Sequence, residues 1–468
     1  MSDLKDVVTK LFKSNTISVP AHRKELFDRF LQDEVNKTAI QEIIENQNSL
    51  MARWKVEDRI ADIVQQPIRL LNGTIGKPYE TRIDFDALKW NDLASFHFEG
   101  LEESGLQFDD KAKLIIGVPT KSGDIKLHFK FRVEGQPEDA PFADKPLLLI
   151  VNPDPKTLWK NIESDRKDPY WKEDNVTLLT PLNDRHLLVS SKRGRSHANV
   201  GSDREDDFSF SDLDNGWSIV VVADGAGSAK LSRKGSSIAC LAVVEYFKST
   251  ASVQAMQAFD KLIREHKANL NETTDKSIKR FLYDNLATAA FHAHKQLEEF
   301  AGKTGVALKD LSTTLIFTLL KKYDIGYALL SFGVGDCPMA VISKSLSRVI
   351  NLNWIDVGEF GGGTRFITMP EIFKNTKFAT RLNFQLVDDF SYLFLMSDGI
   401  YDAKFVVEAN LTDIKKWQLF LEDLQGANED KIVVELDPQN KDVVTQFSSW
   451  MDFWSPGNHD DRTLAIVF

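Results

Sequence analysis

The sequence predicts a multidomain protein of the α+β class, and three patterns in its 468 residues support this prediction. Apolar residues between about positions 26 and 44 recur every three to four residues, which is typical of amphipathic helices. The stretch DIKLHFKFRV alternates apolar and polar side chains, which is typical of a half-buried strand. Beyond about residue 180, apolar runs such as WSIVVVAD alternate with helical stretches such as GSSIACLAVVEYFK.

Four segments follow from these patterns and from a length that holds about three domains. Residues 1–65 form a helical segment whose apolar stripe is expected to pack against a neighbour, with partner binding as the alternative. Residues 66–152 carry short strands separated by turn signals such as Asn72-Gly73, which predicts a small all-β sandwich. Residues 153–180 form a polar linker with three aromatic rings, so we expect an ordered strap. Residues 181–468 form one domain of mixed helices and strands.

The composition excludes some functions and favours a location. With 58 Lys and Arg against 69 Asp and Glu, the net charge of −11 argues against a protein that coats nucleic acid. Two cysteines, Cys240 and Cys337, are too few for a disulfide framework, which favours a reducing compartment. The N-terminus lacks the apolar core of a signal peptide, and no apolar run approaches the ~20 residues of a membrane helix. We therefore expect a cytoplasmic protein without a nucleic-acid or membrane partner.

Aspartates stand at the ends of several apolar runs in the last segment. Any single Asp-Gly pair among them is most simply a turn. If the strand ends converge, however, carboxylates a few ångströms apart repel one another strongly unless a cation neutralises them. Sites built from carboxylate oxygens select Mg²⁺ or Mn²⁺ rather than zinc. The aspartates are Asp206, Asp207, Asp224, Asp336, Asp398, Asp460 and Asp461.

Taken in this order, the motifs resemble those of the metal-dependent serine/threonine phosphatases of type 2C, and in particular a bacterial subgroup. The matching stretches are Asp206-Asp207, VVADGAGS, Leu311-Ser312-Thr313-Thr314, Gly335-Asp336, LFLMSDGI and DDRTLAIV. The resemblance implies two antiparallel sheets packed face to face and flanked by helices (αββα), with a metal cleft at one end. Residues 66–152 resemble bacterial immunoglobulin-like domains, through NGTIGKPYETRIDF and the hairpin GVPTKSG.

The resemblance to the phosphatases also implies ligands for two Mg²⁺ or Mn²⁺ ions. Asp224 would bridge both ions, Asp398 and Asp460 would complete the first, and the Gly225 carbonyl with Asp206-Asp207 would bind the second. A water between the ions would then attack phosphorus, so Asp224, Asp398 and Asp460 are the implied catalytic residues. A third ion stays open, with Asp336 or Asp402 as its ligand.

The sequence departs from the family pattern at the groups that handle phosphate and protons. Many relatives have a histidine at the position of Ala226, where it is thought to protonate the leaving group. Relatives also have an arginine where a gapless count gives Ser202. The first candidates to grip phosphate in its place are His197 and Arg204, followed by Arg195. The glycine-rich stretch 360–366 is either part of a flap near the cleft or a turn without a functional role.

Three functions are compatible with these observations. The first is a metal-dependent phosphatase acting on phosphoserine and phosphothreonine proteins, with a cognate kinase as partner and an N-terminal region that binds a protein. The second is a weakly active or inactive phosphatase-like scaffold in a bacterial signalling or defence system, which Ala226 and the missing arginine favour. The third is hydrolysis of a small phosphorylated metabolite or nucleotide.

Overall fold

The computed structural model describes residues 2–269, 271–356 and 363–468 of the chain. Residues 360–362 of the glycine-rich stretch therefore lie outside the described residues. The chain divides into two compact units, Met1–Leu158 and Trp159–Phe468. In the three described ranges, no helix combines the length and the apolar character that crossing a membrane requires.

The first unit begins with helices and continues with short strands. The side chain of Asp33 caps the third and longest helix by accepting hydrogen bonds from the amides of Val35 and Asn36. The helices are α1 (Ser2–Ser14), α2 (Lys24–Gln32) and α3 (Glu34–Gln65). The strands are β1 (Gly73–Thr74), β2 (Tyr79–Arg82), β3 (Leu93–Glu99), β4 (Leu106–Asp109), β5 (Leu114–Gly117), β6 (Gly123–Val133) and β7 (Ala143–Asn152).

The strands of the first unit form two sheets around an aromatic core. Their orders are β1-β7-β6-β3 and β2-β5-β4. The predicted alternation in β6 is confirmed, because Leu127, Phe129 and Phe131 are all fully buried. Trp90 stacks on Phe129 with ring centroids 4.8 Å apart, and Ile63 of α3 enters the same core. The all-β character of this part agrees with the prediction, and its immunoglobulin-like nature stays a prediction.

The apolar stripe of the N-terminal helices is partly buried. Phe27, Leu31 and Ile40 pack together with Val8 in a small core, as the helical spacing predicts. Other members of the stripe remain exposed to solvent, and these are Leu26, Phe30, Val35 and Ile43.

The second unit mixes strands and helices along its whole length. Its described strands are β8 (Asn175–Leu182), β9 (Arg185–Lys192), β10 (Asp207–Asp212), β11 (Ser218–Ala223), β12 (Leu315–Tyr323), β13 (Gly326–Val334), β14 (Met339–Ser343), β15 (Val349–Asn351), β16 (Leu382–Val387), β17 (Phe390–Met396) and β18 (Arg462–Val467). Its described helices are α4 (Arg195–Val200), α5 (Ser232–Lys248), α6 (Thr250–Ala268), α7 (Glu272–Leu282), α8 (Thr288–Thr304), α9 (Glu371–Lys374), α10 (Asp398–Lys404), α11 (Ile414–Leu424) and α12 (Val443–Trp450).

Two antiparallel sheets form the centre of this unit, in the orders β10-β11-β12-β13-β16 and β15-β14-β17-β18-β9-β8. The sequence of strand β11 is apolar without alternation because both of its faces are buried. Val220 and Val222 face the core between the sheets, whereas Ile219 and Val221 face the core beneath α5 to α8. Helices α10 to α12 cover the outer face of the second sheet. The layers run helix, sheet, sheet, helix, so the predicted αββα sandwich is confirmed.

Candidate metal centre

Three of the carboxylates predicted to bind metal, Asp224, Asp398 and Asp460, lie together at one end of the second unit, between its two sheets. Because Val220 and Val222 of β11 face the inter-sheet core, the alternation of the strand directs Asp224 to the same side. Asp398 begins α10 directly after β17, and Asp460 precedes β18. The charges of Asp398 and Asp460 both act on Asp224. Three distant segments therefore bring one acid each to the same place.

The predicted Ser/Thr-rich motif fixes the backbone of Asp224. The amide of Asp224 donates to Thr314 Oγ1 at 2.9 Å, and the amide of Thr314 donates to the Asp224 carbonyl at 2.8 Å. Thr313 Oγ1 donates to the same carbonyl at 2.8 Å. The motif therefore holds Asp224 at the strand end and leaves its carboxylate to face the other acids.

Burial and crowding make these carboxylates hard to ionise. Burial raises the pKa of Asp224 well above the usual value of an aspartate, and the charges of Asp398 and Asp206 raise it further. The pKa of Asp398 is also raised, first by burial and then by the charge of Asp460. The Oδ1 atom of Asp398 is buried and has no hydrogen-bond partner among the described residues. A cation at this point would satisfy that oxygen and relieve the repulsion.

Gly225 offers a backbone carbonyl beside the same acids. It faces Thr313 in an antiparallel bridge whose hydrogen bonds are made by the residues on either side. In such a pair the N–H and C=O of Gly225 itself point away from the ladder. Glycine is required here, since a Cβ would lie 2.7 Å from the Glu205 carbonyl oxygen and 2.9 Å from Glu205 Cβ.

Glu205 lies in the site, although the sequence prediction did not select it. Its Oε2 atom is buried without a hydrogen-bond partner among the described residues, 3.8 Å from His197 Nε2. Burial raises the pKa of Glu205 to about 7, with the charge of His197 opposing the shift and that of Asp461 adding to it. Glu205 is thus a second acid with an oxygen available to a cation.

The predicted acidic pair Asp206-Asp207 is split by the structure. Asp206 is 1% exposed, its Oδ2 accepts a hydrogen bond from Thr463 Oγ1 at 2.8 Å, and its charge acts on Asp224. Asp207 instead lies 3.3 Å from Lys172 Nζ and 3.9 Å from Arg204 Nη1. The acids brought to the site are therefore Glu205 and Asp206, and Asp207 is directed elsewhere.

The alternation of β10 explains this difference. Phe208 and Phe210 pack against the core between the sheets, so Asp206 shares their side. Asp207 must then point to the opposite face, where its carbonyl accepts a hydrogen bond from Cys240 of α5 at 3.5 Å. The sequence DDFSF already indicates that Asp206 and Asp207 face opposite sides, because the phenylalanines mark the buried side of the strand.

His197 reaches the site, held by a buried acid. Its Nδ1 lies 2.9 Å from Asp461 Oδ1, and Asp461 also accepts hydrogen bonds from the amides of Gly194 and Glu205. Burial opposes the charged form of His197, but the hydrogen bond and charge of Asp461 outweigh it and raise the pKa to about 9. His197, Asp460 and Asp461 offer ligand atoms within 4.8 Å of one another. Since Asp461 already accepts three hydrogen bonds, we interpret it as the support of the histidine.

The two candidate arginines are held by other groups of the protein. Arg204 is 2% exposed and donates to the carbonyls of Glu173 and Asp206, at 3.1 and 2.6 Å. Arg195 donates to Asp452 Oδ1 at 3.2 Å, and its guanidinium lies 5.7 Å from the ring centroid of Trp454. Both guanidinium groups therefore already have partners, and their role in gripping phosphate stays a prediction.

Asp336 and Asp402 lie beside the central acids. Asp336 Oδ2 accepts a hydrogen bond from Thr364 Oγ1 at 2.6 Å, and its charge raises the pKa of Asp224. The pKa of Asp402 is raised by partial burial of its carboxyl group and then by the charge of Asp336. Their role as ligands of a third ion stays a prediction.

The strap that precedes β8 supplies a cation beneath the site. Lys172 Nζ donates to the carbonyl oxygen of Asp206 at 2.6 Å and lies 3.4 Å from that of Glu205. The same Nζ reaches the Arg233 carbonyl of α5 at 3.2 Å. Burial lowers the pKa of Lys172 to about 8, although the charge of Asp207 opposes the shift. Lys172 therefore ties the backbone of the acidic segment to α5.

The donor set suits a hard divalent cation. The unpartnered atoms are carboxylate oxygens, and the nearby Cys337 Sγ, 3.9 Å from Asp224 Oδ2, belongs to a thiol whose pKa is raised by burial. A neutral thiol is a poor zinc ligand, whereas clustered oxygens suit Mg²⁺ and Mn²⁺. An αββα sandwich with this cluster between its sheets defines the architecture of a type-2C phosphatase. The chain belongs to the protein phosphatase 2C family, whose model matches residues 193–437.

Solved structures of bacterial phosphatases are similar to this chain. A serine/threonine phosphatase from Staphylococcus aureus is 14% identical, with a TM-score of 0.33 over 63% of this chain and 98% of its own. The S. agalactiae serine/threonine phosphatase is 14% identical, with a TM-score of 0.37 over 63% and 99%. The Mycobacterium tuberculosis serine/threonine phosphatase is 12% identical, with a TM-score of 0.36 over 62% and 98%. A comparison with curated proteins found no match.

The crowding predicts opposite effects for two aspartates. In EDTA, Asp398→Asn should raise the free energy of unfolding by about 1–2 kcal/mol, because it removes one of several repelling charges. The same variant should lose the rise in melting temperature that Mn²⁺ gives the wild type. Thermal unfolding with EDTA and with MnCl₂ measures both effects. The matched control is Asp207→Asn, which removes a partner of Lys172 and should lower stability while keeping the response to Mn²⁺. Equal behaviour of the two variants would contradict the assignment.

Lys172 should support both the fold and the site. We expect Lys172→Met to destabilise the protein by about 2–4 kcal/mol, because Asp207 is left without its nearest cation. Mn²⁺ affinity, measured by calorimetric titration at a temperature where the variant is folded, should fall about tenfold because Glu205 and Asp206 lose their anchor. Lys167→Met, at an exposed position of the same strap, should change neither quantity. Unaltered Mn²⁺ affinity in Lys172→Met would rule out the positioning role.

Proposed function

We propose that this protein is a metal-dependent serine/threonine protein phosphatase that hydrolyses phosphate monoesters on phosphoserine and phosphothreonine proteins. The observation that carries the proposal is the convergence of Asp224, Asp398 and Asp460, together with buried oxygens of Asp398 and Glu205 that lack hydrogen-bond partners among the described residues. Membership in the protein phosphatase 2C family supports the same reaction class.

The proposed ligands fall into two groups that share Asp224. Asp398 and Asp460 would hold one Mg²⁺ or Mn²⁺ ion with Asp224. The Gly225 carbonyl and Glu205 would hold the second, with Glu205 and Asp206 as the acidic pair in place of the predicted Asp206-Asp207. When bound, the two ions would supply Lewis acidity at the phosphoryl oxygens and lower the pKa of a water that serves as nucleophile.

His197 is the protein group proposed to orient the phosphate, and the state of the two cysteines argues against a covalent mechanism. His197 is protonated near neutral pH, since its pKa is about 9, and Asp461 occupies its Nδ1. This leaves the Nε2–H, on the side of Glu205, to donate to a phosphoryl oxygen. The two cysteines are buried, with pKa values raised by burial, which makes a covalent cysteine mechanism unsuitable. Ala226 carries no proton, so the leaving group must be protonated from another source.

A second candidate function, a phosphoprotein-binding module without turnover, is favoured by the same Ala226. A third, hydrolysis of a small phosphorylated metabolite or nucleotide, differs in its substrate. A serine/threonine kinase that makes the substrate is the partner that the proposal implies. A cytoplasmic location belongs to the proposal and rests on the low cysteine content.

Phosphate release from a phosphothreonine peptide tests the proposed function. The wild type should release phosphate with Mn²⁺ and not with EDTA. Asp224→Ala and Asp398→Asn should each reduce kcat/KM by more than about a hundredfold, because even residues that support metal ligands reach this range. Asp207→Asn, compared at a temperature where it is folded, should keep most of the activity.

The remaining outcomes distinguish the alternatives. Mn²⁺ and phosphopeptide binding without turnover in the wild type would favour the binding module. A strong preference for nucleotides over phosphopeptides would favour the small-molecule hydrolase. Full activity in Asp398→Asn would refute the proposed metal ligands.

A further inference from the structure

The middle of helix α3 is surrounded by solvent. Every residue from 45 to 55 is exposed, over about three turns of a helix that runs from Glu34 to Gln65. Among these residues Leu50 is 69% exposed and Trp54 is 68% exposed. Large apolar side chains so fully exposed on an ordered helix indicate a surface for another protein.

The two ends of α3 are packed, and they leave this surface free. Ile40 and Ile44 pack with α1 and α2, whereas Val56 and Ile63 pack on the core of the sandwich. Ile63 follows Trp54 by nine residues, or two and a half turns, so the sandwich covers the face opposite Trp54.

Three of the exposed apolar residues of α3 lie on one face of the helix, and Met51, which is 48% exposed, lies beside that face. Trp54 follows Leu50 by four residues and Ile43 by eleven, and eleven residues make about three full turns. Ile43 is 39% exposed, so the face extends along at least three turns. Gln47 completes it between Ile43 and Leu50. We call Ile43, Gln47, Leu50 and Trp54 the α3 stripe.

Two opposite charges flank the α3 stripe on the same side. Glu42 and Arg53 are also eleven residues apart, each one position before Ile43 and Trp54. Both are exposed, and neither has an ion-pair partner among the described residues. The charge changes sign along the stripe, which is the pattern that an antiparallel copy of the same helix complements.

We propose that the protein forms a dimer in which α3 pairs antiparallel with α3 of a second copy. Trp54 of each helix packs over Ile43 of the other, and Leu50 packs against Gln47. The same register brings Arg53 of one copy beside Glu42 of the other, and the two-fold axis makes this ion pair twice. A parallel arrangement would keep Glu42 of one copy about 16 Å along the helix axis from Arg53 of the other, so it could not form this ion pair.

The proposed interface is small, because the α3 stripe has only four residues and one of them is polar. A few turns of one helix bury less area than a standard protein interface, so the dimer should form reversibly with concentration. The proposal does not depend on the metal centre or on the phosphatase reaction, because α3 and the acid cluster belong to different units.

Sedimentation equilibrium of the full chain, from about 1 to 200 µM, tests the proposal. The wild type should shift from monomer to dimer across this range. Trp54→Ala should remain monomeric. Glu42→Arg and Arg53→Glu should each weaken the dimer about tenfold, because each turns two attractive contacts into repulsions. The double variant Glu42→Arg with Arg53→Glu should restore the wild-type dissociation constant.

Glu45→Arg is the matched control. Glu45 is exposed, but it lies nine residues before Trp54 and therefore on the opposite side of the helix. Its reversal should leave the dimer unchanged. Circular dichroism should show equal helix content in all variants, since the substituted side chains are exposed. A wild type that stays monomeric at every concentration would overturn the proposal, as would a dimer insensitive to Trp54→Ala or a double variant that fails to recover.

Discussion

Repulsion among carboxylates that meet between two sheets is the interaction on which the account of this protein depends. Burial and the charges of Asp398, Asp206 and Asp460 raise the pKa of Asp224, which is an unfavourable arrangement for a protein without a ligand. The fold nevertheless fixes each of them firmly. Thr313 and Thr314 hold the backbone of Asp224, and Thr463 holds Asp206. Several hydrogen bonds thus hold carboxylates that repel one another. A cation bound between these carboxylates is the simplest explanation of this arrangement.

The hydrogen-bond partners of each acid distinguish structural carboxylates from candidate metal ligands. Asp461 accepts three hydrogen bonds, and its pKa is lowered because His197 and two amides outweigh its burial. Asp207 has Lys172 and Arg204 as cationic neighbours. Asp398 and Glu205, which lie in the same region, each keep a buried oxygen without a partner among the described residues. The same residue types therefore perform two tasks, and the partners of each carboxylate decide which one.

Sequence patterns predicted the fold and much of the site. The order of the acidic motifs carried the resemblance to type-2C phosphatases, which implied the αββα sandwich, and Asp224, Asp398 and Asp460 do converge. The choice of Asp207 over Glu205 shows where sequence reading fell short. Phe208 and Phe210 give the direction of Asp206 and Asp207 through the strand alternation. Glu205 lies before β10, so the alternation gives its side chain no direction.

The arginines illustrate a limit of another kind. A surface cation near the right motif cannot be distinguished by sequence from a buried structural one. Arg204 is 2% exposed and donates to backbone carbonyls of neighbouring segments, contacts that depend on the tertiary fold. The role of Lys172 could not be predicted from the sequence for the same reason, because its partners lie on segments 33 to 64 residues away.

Anomalous scattering from crystals grown with MnCl₂ tests the central claim most directly. The account predicts two manganese peaks, one among Asp224, Asp398 and Asp460 and one between Asp224, the Gly225 carbonyl and Glu205. Crystals in which no manganese lies among these acids, or in which lysine or arginine side chains fill the space between them, would contradict it.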